Sequence, residues 1–261
     1  MTYWTGGARI PAVFTILVAV AMVTACTNPT TSDDGPVPTY AHGDGVPLNS
    51  RGIAGWAKGL GPGGYERGPG AEAYTNPDRA IGPASGIATD VVVLGQGGSI
   101  VLDMGTPFGD TPGADFAVWE NGIAVGNLVF LELGRVAVSS NGTNYATFPV
   151  TARRATPVGP GEAVDPGLYD GFAGVHPLGT GTAFDLSKLS QTEEVTQGWV
   201  DLSKIQYVRI TDVIGGKDTT GDDETDAPEE FDDQDPPHPI YDPFPTTGTA
   251  GFDLDGVAIL W

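Results

Sequence analysis

The sequence predicts an all-β protein, a sandwich or barrel with long loops, on three observations. The 261 residues include 39 glycines and 22 prolines, roughly a quarter of the chain where about an eighth is average, too many backbone breakers for a helical bundle. The apolar runs are short and bounded by Gly, Pro, Asn and Asp, the pattern of strands between turns. Hydrophobic residues make up 40% and charged residues 17%, which supports a buried core and argues against disorder throughout. The length fits one large all-β domain or two small ones. With 12 basic and 33 acidic residues, net charge −21, the chain is a poor partner for nucleic acid or for an anionic membrane surface.

Met1 to Ala25 reads as a processing signal. Arg9 supplies a thin basic start, and the apolar run from Ala12 to Val23 has the length of a signal h-region, too short for a comfortable membrane span. Val23-Thr24-Ala25-Cys26 resembles the bacterial lipobox, in which small residues precede the cut and the cysteine thiol takes the lipid. Cys26 is the lipidation candidate; an ordinary secretory signal with a chance cysteine is the alternative. Because Cys26 is the only cysteine, there is no disulfide framework and no cysteine zinc site. Thr27 to Gly45, rich in Thr, Pro, Asp and Gly, is expected to be a disordered spacer. The expected organisation is a signal peptide at 1–25, a tether at 26–45 and a single β-sandwich domain at 46–261.

Strands are expected at Asp90–Leu94, Ser99–Met104, Asp115–Glu120, Leu128–Leu133, Arg135–Ser139, Tyr145–Val150, Tyr207–Asp212 and Gly256–Trp261. Asn141-Gly142 between two of them is a hairpin signal. Only Leu186 to Val195 suggests a short helix. Gly95-Gln96-Gly97-Gly98 lies between strands with no helix after it, so it reads as a turn and not as a phosphate cradle. Gly59 to Gly70 reads as a glycine-rich loop whose Tyr65 could line a binding rim. The apolar final run Val257–Trp261 predicts a strand buried in mid-sheet, and with no sorting sequence after it the amino-terminal lipid is the expected anchor.

The chemistry concentrates in the acids. An acidic loop spans 212–235, with eleven carboxylates and a single base, Lys217. Such crowding repels unless it is solvated or neutralised by cations, and an all-oxygen donor set favours calcium over zinc or copper. Asp222, Glu224, Asp226 and Asp233 fall at EF-hand positions, but Ala227 replaces the required glycine. A solvated loop that binds nothing is the alternative. Better metal candidates sit at strand ends. Period-2 alternation puts Asp212 on the face of Val208 and Ile210, and Glu120 on the face of Phe116 and Val118. Asp253 and Asp255 share a face just before the final strand, and Asp242 lies in the proline-rich stretch that precedes it. A carboxylate beside a core is costly unless paired, and calcium can pair several at once; Arg135, Arg209 and backbone N–H groups are the alternative partners.

Ser99-Ile100-Val101-Leu102, Asp115-Phe116-Ala117-Val118-Trp119-Glu120-Asn121-Gly122, Val136-Ala137-Val138-Ser139-Ser140-Asn141-Gly142 and Gly251-Phe252-Asp253-Leu254-Asp255-Gly256-Val257 resemble, in order, the blocks of a family of bacterial cell-surface lipoproteins that carry "DFAVFENG", "VSSDG" and "GFDLDAV" sequences. The resemblance covers most of residues 74–261, with Trp119 for the usual Phe and Gly256 for the usual Ala. It implies a galactose-binding-like, carbohydrate-module jelly roll, often with a structural calcium, and a link to surface uptake with a transporter as partner.

The functional expectation is a surface-tethered, calcium-stabilised, non-catalytic binding lipoprotein for a glycan or other small ligand, exported and held to a bacterial membrane, at the outer surface or in the periplasm, through its lipid alone. Loop aromatics would supply stacking faces: Trp56, Tyr65, Tyr241 and Phe244 foremost, then Tyr74, Tyr169 and Phe172, with core packing as the alternative for each. A structural or adhesive surface protein is the second expectation. A glycoside hydrolase using two carboxylates is the third; G-x-S-x-G and H-E-x-x-H are absent.

Overall fold

The computed structural model describes residues 35–215 and 230–261. The chain divides into two units, Met1–Pro36 and Val37–Trp261, and the second is the β-rich body. The signal peptide, Cys26 and residues 216–229 of the acidic loop lie outside the described residues. Among the described residues no helix is long and apolar enough to cross a membrane.

In chain order the strands are β1 (Gly45–Pro47), β2 (Ile53–Trp56), β3 (Gly59–Glu66), β4 (Val92–Val93), β5 (Ser99–Phe108), β6 (Phe116–Glu120), β7 (Ile123–Val125) and β8 (Leu128–Phe130). They continue as β9 (Gly134–Ser139), β10 (Ala146–Thr147), β11 (Thr151–Ala152), β12 (Tyr169–Asp170), β13 (Thr180–Phe184), β14 (Ile205–Asp212) and β15 (Asp253–Leu260). One sheet has the order β1-β13-β6-β15-β2, with β4 also paired to β15; the other has the order β10-β9-β14-β5-β3. All pairings between these strands are antiparallel. The two sheets pack as a β-sandwich. The one α-helix among the described residues, α1 (Glu193–Thr196), and a 3₁₀ turn at Leu186–Leu189 fill the segment where a short helix is expected.

Alternation along β14 and β5 supplies one half of the core. Ile100, Leu102, Val208 and Ile210 meet Val118, Leu254 and Val257 of the facing sheet, with Phe116, Phe148 and Phe184 closing one end. Phe116 and Phe184 stack at 5.2 Å, and Phe148 meets Phe184 edge-on at 5.0 Å, a geometry that adds to area burial. The final strand is central, as its apolar run predicts: β15 lies between β6 and β2. It is buried on both faces because Trp119, Ala258 and Leu260 form a second cluster on the outer side, covered by Tyr40, Leu48, Ile53 and Trp56. A third cluster, including Val129, Leu131, Leu133, Phe172, Val213 and Ile240, packs the long loops together.

Several expectations change: Asp90–Leu94 narrows to β4, Leu128–Leu133 narrows to β8, and the final strand runs from Asp253, three residues before the expected Gly256. Residues 37–45, placed in the tether by composition, belong to the body. Gly43 N–H donates to the Ala183 carbonyl at 2.8 Å, Ala114 N–H donates to the Tyr40 carbonyl at 2.7 Å, and the His42 ring stacks on Phe148. Gly59–Glu66 is strand β3 and not a loop, because glycine lets it lie flat on its neighbours: a Cβ at Gly61 would stand 2.7 Å from Val101 and 2.8 Å from Tyr207. Tyr145–Val150 shrinks to β10, since the Val150 and Ala152 N–H groups donate to the carboxylates of Asp233 and Asp232. At the expected hairpin, β9 and β10 do pair, Ala146 opposite Val138. Gly142 takes φ 72°, while Ser139 Oγ and Asn141 Oδ1 accept the loop N–H groups.

Candidate functional site

Opposite ends of β6 carry two separate groups of acids. At its carboxyl end stand Glu120, Glu132, Asp212, Asp242 and Asp253, all buried. Strand ends and returning loops place them: β14 ends on Asp212, β15 starts on Asp253, and Leu254 lies opposite Glu120.

Asp212 pins the two sheets together. Its oxygens accept Gly97 N–H at 2.9 Å and Phe252 N–H at 2.7 Å. The Gly95–Gly98 turn, dismissed as a phosphate cradle, therefore cradles a carboxylate of its own chain. Burial nonetheless pushes Asp212 up to about 8 against the pull of those donors. Asp242 accepts Leu133 N–H at 2.9 Å, and burial, then the Asp212 charge, holds it well above the usual carboxylate range. Asp255 faces elsewhere. It accepts Ser85 N–H, Ser85 Oγ and Gly86 N–H at 2.7, 3.2 and 2.8 Å, a clip on the loop before β4.

Glu120, Glu132 and Asp253 have fewer partners than Asp212 or Asp255. Glu120 accepts Gly122 N–H at 2.7 Å and Glu132 accepts Gly251 N–H at 3.1 Å. Burial raises both well above the usual range, and the charge of Asp253 raises them further. Asp253 Oδ2 accepts Asn121 Nδ2 at 2.9 Å, while its buried Oδ1 has no hydrogen-bond partner among the described residues. Burial pushes Asp253 up to about 7. Glu132, Asp253 and Asn121 line a cavity of about 300 Å³ with Thr246, Thr247 and Thr249, and no Lys or Arg among the described residues borders it. Sequence reasoning missed Glu132, although a lone carboxylate inside the apolar run Leu128–Leu133 was a legible signal.

At the amino end of β6, Asp110, Asp115 and Asp185 each offer an oxygen within 4.8 Å of the others, and this partly buried cluster could hold a metal ion. It is the one such convergence of three among the described residues; the five metal candidates read from sequence are not gathered that closely. Asp115 is already well served by Thr111 N–H at 2.7 Å, Thr111 Oγ1 at 2.8 Å and Leu186 N–H at 2.8 Å.

The four foremost aromatic candidates are spread apart. Trp56 packs on Trp119 with centroids 4.8 Å apart. Tyr65 donates its hydroxyl to the Val93 carbonyl at 2.5 Å. Tyr241 leans on the loop cluster and accepts the Tyr169 hydroxyl at its carbonyl, 2.6 Å away. Phe244 sits against Gly215, whose absent Cβ would stand 2.9 Å from it. Each has a packing contact, and among the described residues no ring contact joins any two of them.

No protein family and no curated protein matches the chain.

Proposed function

We propose that the chain is an exported, lipid-anchored, non-catalytic binding module whose sandwich is stabilised by calcium and whose loops take a glycan or another small ligand. The lipobox-like Val23–Cys26 and the polar spacer after it support the anchoring. The observation that carries the calcium is Asp253 Oδ1, a buried carboxylate oxygen without a partner among the described residues, beside the equally buried Glu132. Leaving such a group unpaired is costly, and a divalent cation compensates two carboxylates at once. The cavity offers oxygen donors from Glu132, Asp253 and the threonines of its rim, while the Asn121 amide nitrogen holds the other Asp253 oxygen. That is a hard set suited to calcium, whose flexible six- to eight-fold coordination tolerates mixed ligands.

Thermal melting in calcium and in EGTA tests this reading, with Asp253→Asn as the partner experiment. Calcium is expected to raise the Tm of the unmodified chain by several degrees. Asp253→Asn removes a buried charge, so in EGTA it should melt at or above the unmodified chain and gain little from calcium. An equal calcium response in both proteins removes Asp253 from the site. If the response is instead lost in Asp110→Asn/Asp185→Asn, the ion belongs to the cluster at the other end of β6. The adhesive alternative predicts calcium-driven self-association, read by sedimentation. The hydrolase alternative predicts turnover of aryl glycosides that disappears in Glu132→Gln.

A further inference from the structure

A second cavity, of about 350 Å³, lies where residues 42–44, the 166–176 loop and β13 meet. It shares no lining residue with the Glu132–Asp253 cavity. Its volume falls at the lower end of the roughly 300–1,000 Å³ typical of small-molecule sites. The walls include Tyr169, Phe172 and Phe184, and among them stands Thr182, buried, whose hydroxyl Oγ1 has no hydrogen-bond partner among the described residues. Alternation along β13 puts Thr182 on the face of Phe184.

Two histidines complete the lining. Asp185 N–H donates to His42 Nδ1 at 3.3 Å, so the neutral ring carries its proton on Nε2 and offers a donor there. The ring is held between Phe148, stacked at 5.6 Å, and Phe184, edge-on at 5.4 Å; burial lowers its pKa and favours the neutral form. His176 Nε2 donates to the Gly43 carbonyl at 2.9 Å and ties the 42–44 segment across the mouth. At the rim, Asp44 and Asp170 are exposed acceptors, and no Lys or Arg among the described residues lines the cavity.

We propose that this cavity binds a neutral polyhydroxylated ligand, a single sugar ring, with the Thr182 hydroxyl and His42 Nε2–H as its inner polar contacts and Asp44 and Asp170 as acceptors at the rim. The buried polar groups are neutral, so they match hydroxyls. Rim carboxylates repel anions, and being exposed they offer little to a cation. A buried hydroxyl without a partner is costly in the free protein, and a ligand hydroxyl relieves that cost. This site rests on the reading of the chain as a binding module but not on its calcium.

Isothermal titration of the full folded chain with the methyl glycosides of glucose, galactose, mannose and N-acetylglucosamine tests the site, with glucosamine and glucuronate as charged controls. At least one neutral glycoside is expected to bind saturably, and EGTA should leave its affinity unchanged. Thr182→Val keeps the shape and removes the unpartnered hydroxyl, so it should melt no lower than the unmodified chain while weakening binding about tenfold. His42→Gln should weaken binding comparably. Failure of all four neutral glycosides to bind, or tighter binding of either charged control, overturns the proposal. So does an affinity that neither substitution changes, which would leave the binding-module reading intact and move its ligand elsewhere.

Discussion

Asp212 offers two oxygens to two backbone donors, Gly97 in the turn before β5 and Phe252 just before β15. Asparagine keeps the shape but presents an N–H₂ to one of those donors, so Asp212→Asn should destabilise the domain by about 1–3 kcal/mol in urea melts, the cost of a buried group left unsatisfied. The same residue predicts a pH dependence. Its folded pKa of about 8 exceeds the ordinary 3.8, so the folded state binds the proton more tightly than the unfolded chain. Stability of the metal-free protein should therefore fall as pH rises from about 4 to about 8 and flatten above that, with Asp253, at about 7, contributing in the same direction. Stability in EGTA that rises over this interval would contradict that account. Gly181 shows the same dependence on packing: a Cβ there would stand 2.6 Å from the Trp119 ring. Trp119 is itself fenced in by Trp56, so Gly181→Ala should cost about 1–3 kcal/mol through overpacking.

Individual strands differ in how plainly the sequence announces them. β5, β6, β9 and β14 carry contiguous apolar or alternating runs and lie where the sequence places them; β15 is also found, but it starts at Asp253, so that Asp253 and Asp255 lie within the strand and not before it. β3 and β13 do not announce themselves, since glycines at 59, 61, 63, 64 and 181 depress strand propensity. Both form because a neighbour is already there. Gly61 rests on Val101 and Tyr207, and Gly181 rests on Trp119. The element that matters most to stability is β15, which is buried on both faces and paired on both sides. Deleting Val257–Trp261 should abolish cooperative folding, seen as loss of dispersed amide resonances. Trp56, at the far edge of the same sheet, distinguishes packing from binding. Trp56→Ala should lower stability by about 3 kcal/mol, the scale of a truncated packed aromatic, and leave glycoside affinity unchanged.

Across the whole sandwich, charge and polarity are divided by position. Buried carboxylates gather at the carboxyl end of β6, a second acidic trio stands at its amino end, and the neutral His42–Thr182 cavity opens beside β13. Arg135 does not reach the inner acids. It donates to Glu230 at 3.3 Å and lies 3.6 Å from Asp233, at the margin of the acidic loop. Arg209 sits over the Tyr145 ring at 4.3 Å. Neither alternative cationic partner therefore neutralises Glu132 or Asp253, and backbone N–H groups do so only in part.

The sequence by itself determined the fold class, the central place of the last strand and the unusual standing of Asp212, Asp253 and Glu120, because alternation and apolar run length are local properties of a chain. It also marked Asp255, but not that Ser85 and Gly86 engage both of its oxygens. Only the tertiary structure decided which carboxylates are satisfied, that Glu132 joins Asp253 at one cavity, and that His42, from a stretch that reads as spacer, lines another. Those outcomes depend on contacts between residues tens to more than a hundred positions apart. No local pattern carries them, since a carboxylate or an imidazole acquires its partners only when distant strands and loops close around it.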